Sequence, residues 1–259
     1  MTGGRAVMVV IPAHDEADCI AGVVAEVRAA LPAATVVVVD DGSTDATRER
    51  ARAAGATVLS LPYNLGVGGA LRLGLRYAVR GGHDVVVQVD GDGQHDPAEV
   101  PRLLAGLDHA DLVIGARFAG RGAYAVRGPR RWAMAVLARA AGRIVGAPLT
   151  DVTSGFRAFG PRAVALLADA MPAEYLGDTV DALVLAGRAG LVVAQEPVAM
   201  RPRQGGTPSQ SPLRAAVYLG RAVMALLVEV LRTDVPAPPR PVVEGGSGVE
   251  REPVGASPR

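Results

Sequence analysis

The chain has 259 residues, is 49% hydrophobic and carries a formal net charge of +1. That is apolar material for one well-buried domain with appendages, and the charge balance makes no case for nucleic acid or an acidic partner. All 27 basic residues are arginine, which excludes chemistry that needs a Schiff-base or phosphate-loop lysine. The single cysteine, Cys19, permits no internal disulfide and fits a reducing compartment. The apolar run at 6–11 is too short for a signal peptide, and no stretch reaches the roughly 18–20 uncharged apolar residues of a spanning helix. The expectation is a cytoplasmic protein, soluble or peripheral on the inner face of the membrane. Residues 1–122 hold 11 Arg against 15 acids, whereas 123–234 hold 13 against 8. Uneven surface charge gives the same count, but the order suits a cation site beside an anion site.

In chain order, "AVMVVI" (6–11) predicts a strand, and 17–31 a helix with apolar Ile20, Val23, Val24, Val27 and Leu31. "TVVVVD" (35–40) is a strand, 45–54 a polar helix and "TVLSL" (57–61) a strand. A helix at 67–80 precedes the strand "DVVVQVD" (84–90), then come a helix at 97–107 and the strand "DLVIGAR" (111–117). Continuous Val/Ile strands spaced by helices predict a mostly parallel α/β sheet covered on both faces. Beyond it, 128–146 reads as a helix, "TDVTSGFRAF" (150–159) as a loop, 161–170 and 178–189 as helices and "LVVAQEPV" (191–198) as a strand. Residues 201–212 form a basic loop and 213–232 a last helix. The Pro/Gly-rich tail, 235–259, lacks the apolar content to order itself. The expected organisation is one domain over 1–212, an amphipathic helix at 213–234 and the tail.

In a parallel sheet, ligands bind at the carboxyl ends of the strands. "HDE", "DDGSTD", "NLGVGG" and "DGDGQHD" all fall there. With 16 Asp in the chain, roughly one D-x-D arises by chance. Asp90-Gly91-Asp92, however, lies where a core strand becomes a loop, so both carboxylates can turn to one cation. Hard oxygen donors suit Mg²⁺ or Mn²⁺ shared with a substrate phosphate, whereas scattered His and one Cys offer zinc no tetrahedral set. "GVGGAL" (66–71) is no dinucleotide fingerprint, because Leu71 occupies the third glycine's place. Its glycines, Gly69 among them, still let backbone N–H groups approach a phosphate. Asp40 and Asp41 can bind a nucleoside or cap the following helix, for which Ser43 and Thr44 are better placed. His14 and His95 read as hydrogen-bonding neighbours, and Arg127, Arg130 and Arg131 as a solvated helix start or an anion site.

These segments resemble the family 2 glycosyltransferases of GT-A fold, in particular their polyprenyl-phosphate mannosyl- and glucosyltransferase branch. The resemblance runs over about 6–232 and rests on "IPAHDE", "VVVDDGSTD", "NLGVGGAL", "QVDGDGQHDP", "GARF", "TDVTSGFRAF" and "EPVAMRPRQGG" in order. It implies that Pro12, Ala13, Asp15 and Glu16 form a nucleoside loop, with Glu16 reaching the ribose, and that Asp41, beside Asp40, meets the base. It implies that Asp90, Asp92 and Gln94 hold the metal and donor diphosphate, that Arg117, helped by Arg131, contacts phosphate, and that Arg203 closes over the diphosphate. Asp151, Ser154, Gly155 and Arg157 would lie near sugar and acceptor, with Asp90, Asp92, Arg117 and Asp151 as the catalytic set. Two departures stand out. Asp178 and Asp181 occupy places where the family often has paired glutamates, and Pro208 stands where its "R-x-x-G-x-S" loop has serine.

The function implied is inverting, metal-dependent transfer of a hexose from a nucleotide sugar of the GDP-mannose or UDP-glucose type to a polyprenyl phosphate. Alternatives are transfer to a soluble hydroxyl acceptor and a nucleotide-sugar-binding subunit without turnover. The 213–232 segment, apolar but carrying Arg214, Arg221, Glu229 and Arg232, suits a membrane interface or packing on protein.

Overall fold

The computed structural model describes residues 6–117, 129–171 and 178–203, with side chains for all of these except 129–133 and 178. The expected helix at 213–232, the tail at 235–259, loop positions 204–212, Arg127 and the side chains of Arg130, Arg131 and Asp178 lie outside the described residues.

The Val/Ile runs form the strands they predict. β1 (Val7–Ala13), β2 (Thr35–Asp40), β3 (Thr57–Ser60), β4 (Val85–Gln88), β5 (Leu112–Ala116), β6 (Arg157–Phe159) and β7 (Val193–Pro197) make one sheet, in the order β3-β2-β1-β4-β6-β5-β7. Side chains alternate across it. Met8, Val10, Val37, Val39 and Val86 enter one core, while Val9, Ile11, Val36, Val38, Val85 and Val87 enter the other. The second core is closed by α1 (Ile20–Ala30), α2 (Thr47–Ala53) and α4 (Val100–Gly106). The first is closed by α3 (Val67–Arg80), α5 (Pro129–Val145), α6 (Pro161–Ala170) and α7 (Asp178–Arg188).

Three expectations need correction. The stretch 150–159 is not all loop, because Arg157–Phe159 forms β6, antiparallel to both β4 and β5. Its backbone pairs with β4 on one side and β5 on the other, so three residues suffice without a periodic signal. The first helix starts at Ile20 rather than 17, because residues 14–17 are tied across to the β2–α2 loop: Asp15 N–H donates to Ser43 Oγ and Glu16 N–H to Thr47 Oγ1. The helix expected at 97–107 opens as a 3₁₀ turn, Pro97–Glu99, capped by the Asp96 side chain accepting from Ala98 N–H, and turns α-helical at Val100.

The antiparallel β6 matters for the site. It starts where β4 and β5 end, so the segment leading into it reaches the same rim as the loops after β1, β2, β4, β5 and β7.

Helix α3 lies close on β1 at Gly74, where an added Cβ would overlap Cγ2 of Val10. Gly74→Ala gains about 1 kcal/mol of helix propensity, but overpacking costs roughly 1–3 kcal/mol. The expected result is net destabilisation, read as a lower urea midpoint.

Candidate active site

Along the carboxyl rim, five acids are buried among the described residues: Glu16, Asp40, Asp41, Asp92 and Asp151. A buried carboxylate needs donors or cations to replace lost water, and the partner each finds defines its role.

Asp40, at the end of β2, receives Nε and Nη2 of Arg48, each at 2.9 Å, and Ser43 N–H at 3.2 Å. Asp41 accepts the N–H groups of Leu65 at 2.7 Å and Gly66 at 2.8 Å, one on each oxygen. Burial raises its carboxyl above the ordinary value, while those two N–H bonds pull it back. Asp41 thereby fixes the turn into α3, where Gly66 takes φ 87. Gly69 follows, buried in the first turn of that helix. Pro12 and Ala13 are buried at the end of β1, against Val39 and Asp40. His14 donates from Nδ1 to the Asp41 carbonyl at 2.8 Å, and Asp15 accepts from Thr44 N–H at 2.8 Å, in the left-handed region at φ 53.

Asp90 and Asp92 follow β4. Asp90 N–H donates to His95 Nδ1 at 2.9 Å, which makes that nitrogen an acceptor and places the ring proton on Nε2, 3.4 Å from Asp90 Oδ2. The His95 ring is buried and stacked on Phe156, with centroids 4.7 Å apart. Gly155 lies over Asp90, where a Cβ would come within 2.9 Å of Oδ1. Asp92 Oδ1 accepts Gln94 N–H at 2.9 Å, while the Gln94 carbonyl accepts Arg201 N–H. Asp92 Oδ2 lies 3.7 Å from Arg203 Nη1, and Arg203 Nη2 donates to Glu16 Oε1 at 2.5 Å. The other Glu16 oxygen, Oε2, is buried with no hydrogen-bond partner among the described residues. Burial, reinforced by the charge of Asp92 and opposed by Arg203, pushes Glu16 up to about 7. Burial and the charge of Asp90 raise Asp92 as well.

This centre carries more negative charge than its one arginine offsets. No three His, Cys, Asp or Glu side chains are grouped to hold an ion by themselves among the described residues. Two hard carboxylates beside an unsatisfied third fit Mg²⁺ or Mn²⁺, ions that complete their shell with substrate phosphate and water.

On the β5 side, Asp151 is 1% exposed and its two oxygens are saturated from within. Arg117 donates Nε at 2.7 Å, Nη2 at 2.9 Å and its backbone N–H at 3.2 Å, and Thr153 adds N–H and Oγ1. Burial would raise this carboxyl, but the bonds and charge of Arg117 outweigh it and hold it below the ordinary range. Asp151, expected in the catalytic set, is thus held against Arg117. Arg157, expected near sugar and acceptor, is fully buried and donates to the carbonyls of Ser154, Thr179 and Val152, which props up the loop. Ser154, likewise buried, accepts from Phe156 N–H. Asp181 sits half-buried in the first turn of α7.

Sequence reasoning missed Arg48, which holds Asp40, and Arg201, whose guanidinium joins Glu26 at 2.6 Å and Asp96 at 2.7 Å. The alternation Arg201-Pro202-Arg203 on an extended segment was the available signal.

A mostly parallel sheet with helices on both faces and one antiparallel strand is the architecture of the GT-A glycosyltransferases. The chain belongs to glycosyl transferase family 2, which matches residues 8–165, and is a glycosyltransferase. It is 34% identical over 217 residues to an undecaprenyl-phosphate mannosyltransferase of Micrococcus luteus, covering 79% of this chain and 87% of the other. It is 33% identical over 160 residues to a polyprenol monophosphomannose synthase of Mycolicibacterium smegmatis, covering 59% and 60%. Among solved structures it resembles glucosyl-3-phosphoglycerate synthase of Mycobacterium tuberculosis in complex with Mn²⁺, UDP-glucose and phosphoglyceric acid. The TM-score is 0.67 at 25% identity, over 89% of this chain and 82% of that one.

Two outcomes follow from the site electrostatics. Glu16 has a folded value of about 7 against 4.5 ordinarily, so folding takes up a proton between the two. Stability from this group is complete below the lower value and is lost as pH rises through the higher. With EDTA present, the melting temperature of Glu16→Gln should fall less than wild type between about pH 5 and pH 8; equal slopes would absolve Glu16. Asp151→Asn removes the buried charge that pairs with part-buried Arg117, so unfolding free energy should drop by roughly 3 kcal/mol in denaturant titration.

Proposed function

We propose that this glycosyltransferase moves a hexose, with inversion, from a nucleoside diphosphate sugar to a polyprenyl phosphate, with Mg²⁺ or Mn²⁺ at Asp90 and Asp92. The observation that carries the reading is the Arg117–Asp151 pair. A hydroxyl acceptor must lose a proton as it attacks, so its enzyme needs a base within reach. On the acceptor side, the best-placed carboxylate is consumed in holding an arginine. A phosphate monoester arrives ionised: one of its oxygens forms the new bond to the anomeric carbon while the bond to the donor diphosphate breaks, and no proton has to leave.

The residues divide the work. Arg117 opposes the repulsion between acceptor phosphate and donor diphosphate, and Asp151 keeps it aimed. Asp40, Asp41, Asp15 and Glu16 shape the nucleoside end, together with Pro12, Ala13 and the Gly69 turn. Asp90, Asp92 and Gln94 would hold the divalent ion, which when bound supplies charge to stabilise the leaving diphosphate. Arg203 and Arg131 would add phosphate contacts. A lipid acceptor places the reaction at the cytoplasmic membrane surface, with 213–232 as the segment suited to meet it. No described helix is long and apolar enough to cross a membrane.

Transfer to a soluble acceptor is the second reading, favoured by the similarity to the synthase solved with phosphoglyceric acid. Labelled GDP-mannose and UDP-glucose, offered with polyprenyl phosphate, free polyprenol or phosphoglyceric acid, separate the two. Product should form with the lipid phosphate alone. Turnover should fall about 100-fold or more in Asp92→Ala, in EDTA and in Arg117→Ala. Efficient transfer to polyprenol, or full activity in EDTA, would refute the acceptor and the metal assignment respectively.

A further inference from the structure

The segment after β7 is stitched to the D-x-D loop more firmly than a connecting loop requires. Met200 pairs with His95 in an antiparallel bridge, and Arg201 N–H donates to the Gln94 carbonyl at 2.9 Å. The Arg201 side chain then spans Glu26 on α1 and Asp96 at the loop's far end. Neither carboxylate belongs to the Asp90–Asp92 centre, so this anchor does not depend on the charge state of that centre. Two residues on, Arg203 reaches into the centre itself, where its guanidinium joins Glu16 to Asp92 and leaves Glu16 Oε2 unsatisfied.

We propose that Arg203 is a tethered counter-cation: it occupies the acidic centre in place of the divalent ion, and ion binding displaces it. Arg201 is the positioning residue that holds it within reach. The inference rests on the divalent-ion reading above and adds to it a competition. A guanidinium 3.7 Å from Asp92 Oδ2 and a doubly charged ion on the same carboxylate repel each other in a half-buried setting. They therefore exclude each other there, and the guanidinium freed from Glu16 and Asp92 becomes available to donor phosphates. Arg203 offsets part of the bare centre's charge, and the ion enters together with the nucleotide whose phosphates give Arg203 further partners.

The test is Mn²⁺ binding to the nucleotide-free protein, followed by electron paramagnetic resonance of free Mn²⁺, in wild type, Arg203→Ala, Arg201→Ala and Arg48→Ala. Circular dichroism and melting check each fold. Arg203→Ala should bind Mn²⁺ about tenfold more tightly than wild type, yet bind nucleoside diphosphate with Mn²⁺ more weakly. These opposite signs are not the mark of a merely structural residue. Arg201→Ala should shift Mn²⁺ affinity the same way by a smaller factor, which keeps the test alive if one variant folds poorly. Arg48→Ala removes equal charge from the same rim without touching Asp92, and should leave Mn²⁺ affinity within about twofold. Wild-type Mn²⁺ affinity unmoved or weakened by Arg203→Ala overturns the counter-cation and leaves the proposed function standing. Failure of both proteins to bind Mn²⁺ with or without nucleotide overturns the metal assignment, and the counter-cation with it.

Discussion

A carboxylate withdrawn from water must have its charge met by the protein, and this chain withdraws five along one rim of its sheet. Each is met differently, and the differences divide the rim into frame and site. Asp40 has an arginine, Asp41 two backbone N–H groups, and Asp151 an arginine with a threonine. These three are settled internally and hold loops in place. Glu16 and Asp92 share one arginine, next to the half-exposed Asp90, and remain raised in pKa. Incomplete compensation is what an acidic structural brace avoids and what a cation site retains.

The sheet order makes that division possible. Inserting an antiparallel β6 between β4 and β5 brings the segment before it up to the rim, so Gly155 covers Asp90 while Asp151 grips Arg117. One short loop thus touches both the acid pair and the arginine. Phe156, at its end, supports His95, which in turn fixes the backbone of Asp90. Rigidity passes from the core to the carboxylate through stacking and one N–H bond, the kind of backing that keeps a binding group in a single geometry.

Most of this architecture was legible in the sequence wherever burial on both faces leaves a long β-branched run, as in "TVVVVD" and "DVVVQVD". β6 was not, because three residues ahead of a glycine carry no period, and its first residue, Arg157, is the type expected at a site. The acids of the rim were legible as a set, since parallel strands deliver their following loops to one edge. Their separate roles were not. Whether Asp151 binds substrate or an arginine depends on a contact across 34 positions, and Asp41 meets Leu65 and Gly66 from 24 and 25 positions away. Arg203 was singled out through resemblance, whereas Arg201, two residues earlier, acts through Glu26 and Asp96 on elements far away in sequence.

The arginines give the rim its chemical direction. A guanidinium paired with a buried carboxylate stays charged and fixed, and its planar fork suits phosphate oxygens. On the β5 side that fork is held by Asp151 and Thr153. Near the acid pair, the fork of Arg203 is held by Glu16 and Asp92. The first arrangement presents a constant positive charge, suited to an acceptor that is always anionic. The second presents a positive charge shared between two carboxylates raised by burial, one of which keeps an oxygen with no hydrogen-bond partner among the described residues. A fixed charge lowers the cost of bringing an anion to the rim, whereas a shared one follows whichever of its carboxylates stays ionised.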